Sequence, residues 1–166
     1  MIAADIVCLY SELQDLGITI WIDGGWGVDA LLGEQTRPHG DLDIAIQQKD
    51  VPKFVDLQEK RGYREVKRDN EWNFVLGNDH GHKIDVHAFI LDAQRNVEKG
   101  IKYPPGSLTG TGRIEGHPVR CISADWMVKF HCGYQAKEKD FRDVSALCEK
   151  FGLNLPDEYV QFKSST

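Results

Sequence analysis

Between Trp21 and Ile46 the chain reads WIDGGWGVDALLGEQTRPHGDLDIAI: an apolar start, a Gly-Gly pair, and then a second apolar segment carrying Asp41 and Asp43. Side chains two residues apart on a β-strand point to the same face. Asp41 and Asp43 therefore project together, while Leu42, Ile44 and Ile46 face the opposite way, into a core. Adjacent carboxylates repel each other unless a cation or hydrogen-bond donors compensate them, and hard Mg²⁺ or Mn²⁺ carrying bound phosphate does this well. The expected chemistry is the handling of a phosphorylated substrate.

The flanking sequence predicts a mixed α/β (α+β) domain. Ile2, Ile6, Tyr10, Leu13 and Leu16 form a helical stripe stopped by Gly17. Ile18 to Ile22 reads as a strand followed by a tight turn at Asp23, Gly24 and Gly25. A short helix over Trp26 to Leu32, closed by Gly33, leads to the Asp41 to Ile46 strand, and Asp50 to Arg61 is a helix ended by Gly62. Tyr63 to Arg68, Trp72 to Gly77 and Lys83 to Ile90 read as a meander, its last two strands joined by a hairpin loop at Asn78 to Gly81. Lys99 to Gly116, rich in Gly with Pro104 and Pro105, reads as a substrate-facing loop without regular structure. Ser123 starts a helix with Trp126, Met127, Phe130 and Tyr134 on one side, on which His131 and Tyr134 are expected to pack, and Glu138 to Phe151 forms another. Residues 1–118 are thus expected to form a catalytic domain and residues 119–166 a helical section packed on it.

A net charge of −6 and no Lys/Arg cluster argue against a nucleic-acid partner. No apolar run approaches the roughly 20 residues that span a bilayer, and the N-terminus lacks a basic start, so no membrane is expected and a cytoplasmic location is. Cys8, Cys121, Cys132 and Cys148 lack metal-ligand spacing and read as buried thiols.

Asp85 lies in KIDVHAF, where it alternates with apolar Ile84, Val86 and Ala88. If this strand neighbours the Asp41 strand, three carboxylates can hold two metals about 4 Å apart, or Asp85 can act as general base. His87 either lines the acceptor site or fills its strand face. Gly24-Gly25, Asp41-x-Asp43 and a later Asp85 resemble the DNA polymerase β nucleotidyltransferase superfamily. WIDGGWGVDALLG, Thr36-Arg37, His39-x-Asp41-Leu42-Asp43 and CISADWMVKFHCGYQAKEKDFRDV resemble, within it, the small antibiotic nucleotidyltransferases, the lincosamide and aminoglycoside-2''-adenylyltransferase-like enzymes.

The resemblance implies the polymerase-β-like fold, a small mixed sheet flanked by helices, and transfer of AMP from Mg-ATP to a hydroxyl of a small lincosamide or aminoglycoside. It places the Gly24 and Gly25 backbone against the phosphates and Mg²⁺ on Asp41 and Asp43, with Asp85 as third ligand or base. Arg37, His39 and Lys139 are candidates for phosphate or pyrophosphate contacts, and Asp23 and Asp29 for capping and orienting the turn. Competing readings are a member that adenylylates a protein or only binds nucleotide, and a dinucleotide fingerprint at Gly25-Trp26-Gly27-Val28-Asp29-Ala30. A second copy of the chain could complete the open cleft, with Trp126 or Phe141 in the interface.

Overall fold

A computed structural model describes residues 1–162. Helix α1 (Ala3–Asp15) leads to β1 (Ile20–Asp23), α2 (Gly24–Leu32), β2 (Leu42–Gln47) and α3 (Val51–Lys60). Strands β3 (Arg64–Arg68), β4 (Asn73–Gly77), β5 (Lys83–Leu91) and β6 (Val97–Gly100) follow, then β7 (Gly110–Ile114) and β8 (His117–Cys121). Helices α4 (Ala124–Phe130), α5 (Glu138–Phe151) and α6 (Asp157–Val160) close the chain. The strands of the described residues form one mixed sheet in the order β3-β4-β5-β2-β1-β8-β7, with β6 paired to the far half of β5. β2 is parallel to β5 and β1 to β8; the other pairs are antiparallel.

The alternation in the sequence becomes two faces. Leu42, Ile44, Ile46, Ile84, Val86 and Ala88 are fully buried, and each large member contributes about 1.5–3 kcal/mol by leaving water. Their neighbours Asp43, Asp85 and His87 stand on the opposite face. Helix α2 lies against β1, β2 and β7 and touches α4 and α5, so its N-terminus is held at the end of β1.

Several local expectations are corrected. Gly24 and Gly25 are the first turn of α2 and not a separate turn, because Asp23 caps the helix, its carboxylate accepting from the Gly24 amide at 2.8 Å. Asp41 lies just before β2, exposed. The 99–116 stretch contains the end of β6 and all of β7; β7 turns into β8 through Glu115 (φ 48°) and Gly116 (φ 77°), whose left-handed pair suits a tight hairpin. Helix α4 ends at Phe130, so Tyr134 is not on it and is exposed. Ile2 and Leu16, beyond the ends of α1, are also exposed, and Cys8 is exposed because it falls off the Ile6, Leu9, Tyr10, Leu13 stripe. β1 and β2 are antiparallel, not the parallel crossover a dinucleotide fingerprint needs, and Trp26 is buried. β8 runs across positions 118 and 119, and the first helix after it begins at Ala124. No helix among the described residues is long and apolar enough to cross a membrane. Phe141 stacks on Tyr159 and Phe162, so one of its faces is covered from within the chain.

Candidate active site

The pairing register puts one acidic row across three adjacent strands. Asp23 of β1 is opposite Asp43 of β2, and Asp43 is opposite Asp85 of β5. Partners in a ladder share a face, so the three carboxylates line up, with His87 two residues beyond Asp85. Ligand atoms of Asp43, Asp85 and His87 all lie within 4.8 Å of one another. Asp41, exposed and one residue outside β2, is not in that set, but its charge reaches Asp43.

Each member of the row has a different electrostatic situation. Burial, reinforced by the charges of Asp41 and Asp23, raises the Asp43 carboxyl to about 7. Burial also opposes ionisation of Asp85, but hydrogen bonding and the charge of His87, with an Asn73 hydrogen bond, hold it below the ordinary carboxylate range. The Asn73 amide donates to Asp85 Oδ1 at 2.7 Å, and His87 Nε2 lies 3.5 Å from the same oxygen. Oδ2 is thus left for a metal or a substrate proton. Burial disfavours charge on His87, yet its contacts with Asp23 and Asp85 prevail and raise it to about 10. The buried Tyr103 hydroxyl donates to Asp23 Oδ2 at 2.9 Å and lies 3.2 Å from His87 Nδ1.

The two glycines make the row possible. Gly24 sits at φ +55°, and a Cβ there would lie 2.0 Å from Asp43 Oδ2; at Gly25 it would lie 2.3 Å from His39 Nδ1 and 2.9 Å from Arg37 Nη2. The pair is therefore a socket, Gly24 for Asp43 of β2 and Gly25 for His39 and Arg37 from the segment preceding it, whatever else its backbone contacts. The facing carboxylates of Asp43, seated over Gly24, and Asp85 fit a divalent cation, while His87, held protonated by Asp23 and Asp85, has no lone pair to offer it.

Arg37 and His39, candidates for phosphate contacts, are engaged with the protein. The Arg37 fork donates to Asp143 of α5 at 2.8 and 3.4 Å, and its Nη1 lies 3.0 Å from His39 Nδ1. A guanidinium only donates, so Nδ1 accepts and Nε2–H donates to Asp29. Asp29 in turn accepts from the Thr36 amide and hydroxyl at 3.1 and 2.7 Å, the orienting role expected of it. This brace ties α5 to α2 and to the residues entering β2. Arg37→Ala strands Asp143, which is 4% exposed, and is expected to remove about 2–3 kcal/mol of stability in a urea titration. An unchanged unfolding midpoint with weaker nucleotide binding would instead make Arg37 a phosphate contact. Lys139, on the first turn of α5, is exposed.

Two clefts flank the Asp43–Asp85 pair. One, of 420 Å³, is lined by Asp23, Gly24, Asp43, His87, Tyr103 and Tyr134, with His131 also in its wall. The other, of 490 Å³, is lined by Asp41, Lys67, His82, Lys83 and Asp85. Sequence reasoning missed Tyr103, treated Asp23 as a cap alone and assigned His131 and Tyr134 to packing. The spacing of Asp85 and His87 in KIDVHAF was a usable signal for His87, but the Tyr103 contact, 80 residues from Asp23, left none.

A profile for aminoglycoside-2''-adenylyltransferase matches residues 5–147. A lincosamide resistance protein of Staphylococcus haemolyticus is 29% identical over 139 residues, 81% of this chain and 86% of that protein. A 2''-aminoglycoside nucleotidyltransferase of Escherichia coli is 29% identical over 125 residues, 69% of this chain and 64% of that enzyme, just under two thirds of its length. Among solved structures, a lincosamide antibiotic adenylyltransferase with lincomycin bound superposes with a TM-score of 0.77 at 24% identity, covering 87% of this chain and 94% of that one. An aminoglycoside enzyme, ANT(2'')-Ia, in complex with adenylyl-2''-tobramycin gives 0.76 at 20% identity over 98% and 97%. These likenesses identify the nucleotidyltransferase fold. With the profile covering most of its length, the chain belongs to the aminoglycoside-2''-adenylyltransferase family.

Proposed function

We propose that the protein transfers AMP from ATP to a hydroxyl of a lincosamide or aminoglycoside. The observation that carries this reading is the Asp43–Asp85 pair, in register on parallel strands, with an open cleft on either side. Two reactants can approach such a pair from opposite sides, as an in-line displacement requires. The acceptor hydroxyl oxygen bonds to the α-phosphorus, the bond from that phosphorus to the bridging oxygen breaks, and pyrophosphate leaves. Asp85, ionised and with Oδ2 uncommitted, takes the hydroxyl proton. Asp41 and Asp43 would hold Mg²⁺, which would neutralise charge on the triphosphate. Asp23 and His87, fixed by Tyr103, keep the row in place, and Lys139 remains the exposed candidate for a pyrophosphate contact. Arg37 and His39 act through the brace.

Pyrophosphate release from Mg-ATP across a panel of lincosamides and aminoglycosides tests this. Release with a member of either class, and none without an acceptor, is expected. Silence across the panel combined with AMP appearing on a protein would replace the small acceptor with a protein one.

A further inference from the structure

A third cavity, of 330 Å³, lies beyond Tyr103, with Trp21, Pro104, Pro105, Arg95 and Arg120 among its walls and no carboxylate among its lining residues. Trp21 is 4% exposed, and its indole N–H donates to the Leu108 carbonyl at 2.7 Å, so its ring is a fixed surface. Neither guanidinium has an ion-pair partner among the described residues. In a chain of net charge −6, two uncompensated arginines around one concavity are the reverse of the acidic site nearby. Arg95 occupies the turn between β5 and β6 at φ 65°, where Gly or Asn would sit without strain and an arginine does not.

Guanidinium forks match the two oxygens of a carboxylate or phosphate, and ordered aromatic and proline surfaces favour a flat apolar body. We propose that this cavity binds a small oxyanion carried on an aromatic ring, an aryl carboxylate or aryl phosphate, at a site separate from the Asp43 row. Tyr103 belongs to the walls of both cavities, so an occupant touches the residue that holds Asp23. The site stands whether or not the proposed reaction does.

The test is calorimetric titration of the full chain in EDTA, without nucleotide, using benzoate, phenyl phosphate, inorganic phosphate and benzyl alcohol. Benzoate or phenyl phosphate is expected to bind about tenfold or more tightly than benzyl alcohol, and the Trp21 indole resonance to move in parallel. Whichever aryl anion binds more tightly identifies the headgroup. Arg120→Gln and Arg95→Gly are each expected to weaken binding about tenfold. Arg95→Gly relieves the left-handed strain, so its loss of binding is not loss of fold. Lys102→Gln, on the wall of the 420 Å³ cleft, is expected to leave binding unchanged. Absence of binding by both aryl anions, indifference to both arginine variants, or dependence on Lys102 would overturn the proposal, as would inorganic phosphate binding as tightly as either aryl anion.

Discussion

Asp43→Asn is expected to lower AMP transfer by about three orders of magnitude and, in EDTA above pH 7, to raise the melting temperature. The two effects share a cause. Burial and the charges of Asp41 and Asp23 raise the Asp43 carboxyl to about 7, so the folded state binds that proton more tightly than the unfolded chain does. Stability from this group is present at low pH and is lost as pH climbs from the ordinary carboxylate range through about 7. Asparagine keeps the shape, removes the charge and abolishes that loss. His87 acts with the same sign in a later window: raised to about 10 by Asp23 and Asp85 against its burial, it stabilises fully below its ordinary value and loses that contribution as pH passes 10. The contacts that raise His87 survive the substitution, so the variant isolates the lower window. Melts in EDTA at pH 6 and 8, beside pyrophosphate release, check both effects. Mg²⁺ should raise the wild-type melting temperature more at pH 8 than at pH 6, since protons compete for Asp43 at the lower pH, and should do less for the variant. Unchanged turnover would remove Asp43 from the reaction.

The elements legible in the sequence are those whose signal is local. The two apolar strands around Gly24-Gly25, the meander to Ile90 and the helix from Glu138 to Phe151 follow from alternation, helical spacing and glycine stops, and the structure places them within a few residues. Placing Asp85 beside Asp43 required one guess about neighbouring strands, which the parallel β2–β5 register bears out. The remainder of the site depends on long-range contacts. Asp23 joins the row because β1 pairs antiparallel with β2, and the antiparallel sense of that pair is set by packing, not by any residue type. Tyr103 reaches Asp23 and His87 from a segment whose prolines and glycines suggested only a loop. The structural tie of Arg37 is not legible in the sequence because its partner, Asp143, is 106 residues away. Gly24 and Gly25 were read from the phosphate side alone, whereas the space they leave is filled by Asp43 and His39.

Gly112→Ala is expected to remove about 2–4 kcal/mol of stability. A Cβ at Gly112 would lie 2.2 Å from the Ala30 carbonyl oxygen, 2.4 Å from its carbon and 2.9 Å from the Leu31 nitrogen. All three are backbone atoms of α2, so no rotamer change relieves the overlap and the helix must move off β7. Glycine in this strand is therefore a condition for close helix–sheet approach, which is why a breaker-rich sequence is still a strand. The same displacement carries the N-terminus of α2, where Gly24 cradles the Asp43 carboxylate, so activity should fall beyond what the lost stability explains. Gly40→Ala is the control: no atom lies within 4 Å of its Cβ position and its φ is not left-handed, so urea titration should place it within about 0.5 kcal/mol of wild type. A Gly112→Ala protein as stable as that control would mean that the β7–α2 contact is slack. The position of α2, and with it the seat of Asp43, would then be set by α4 and α5 instead.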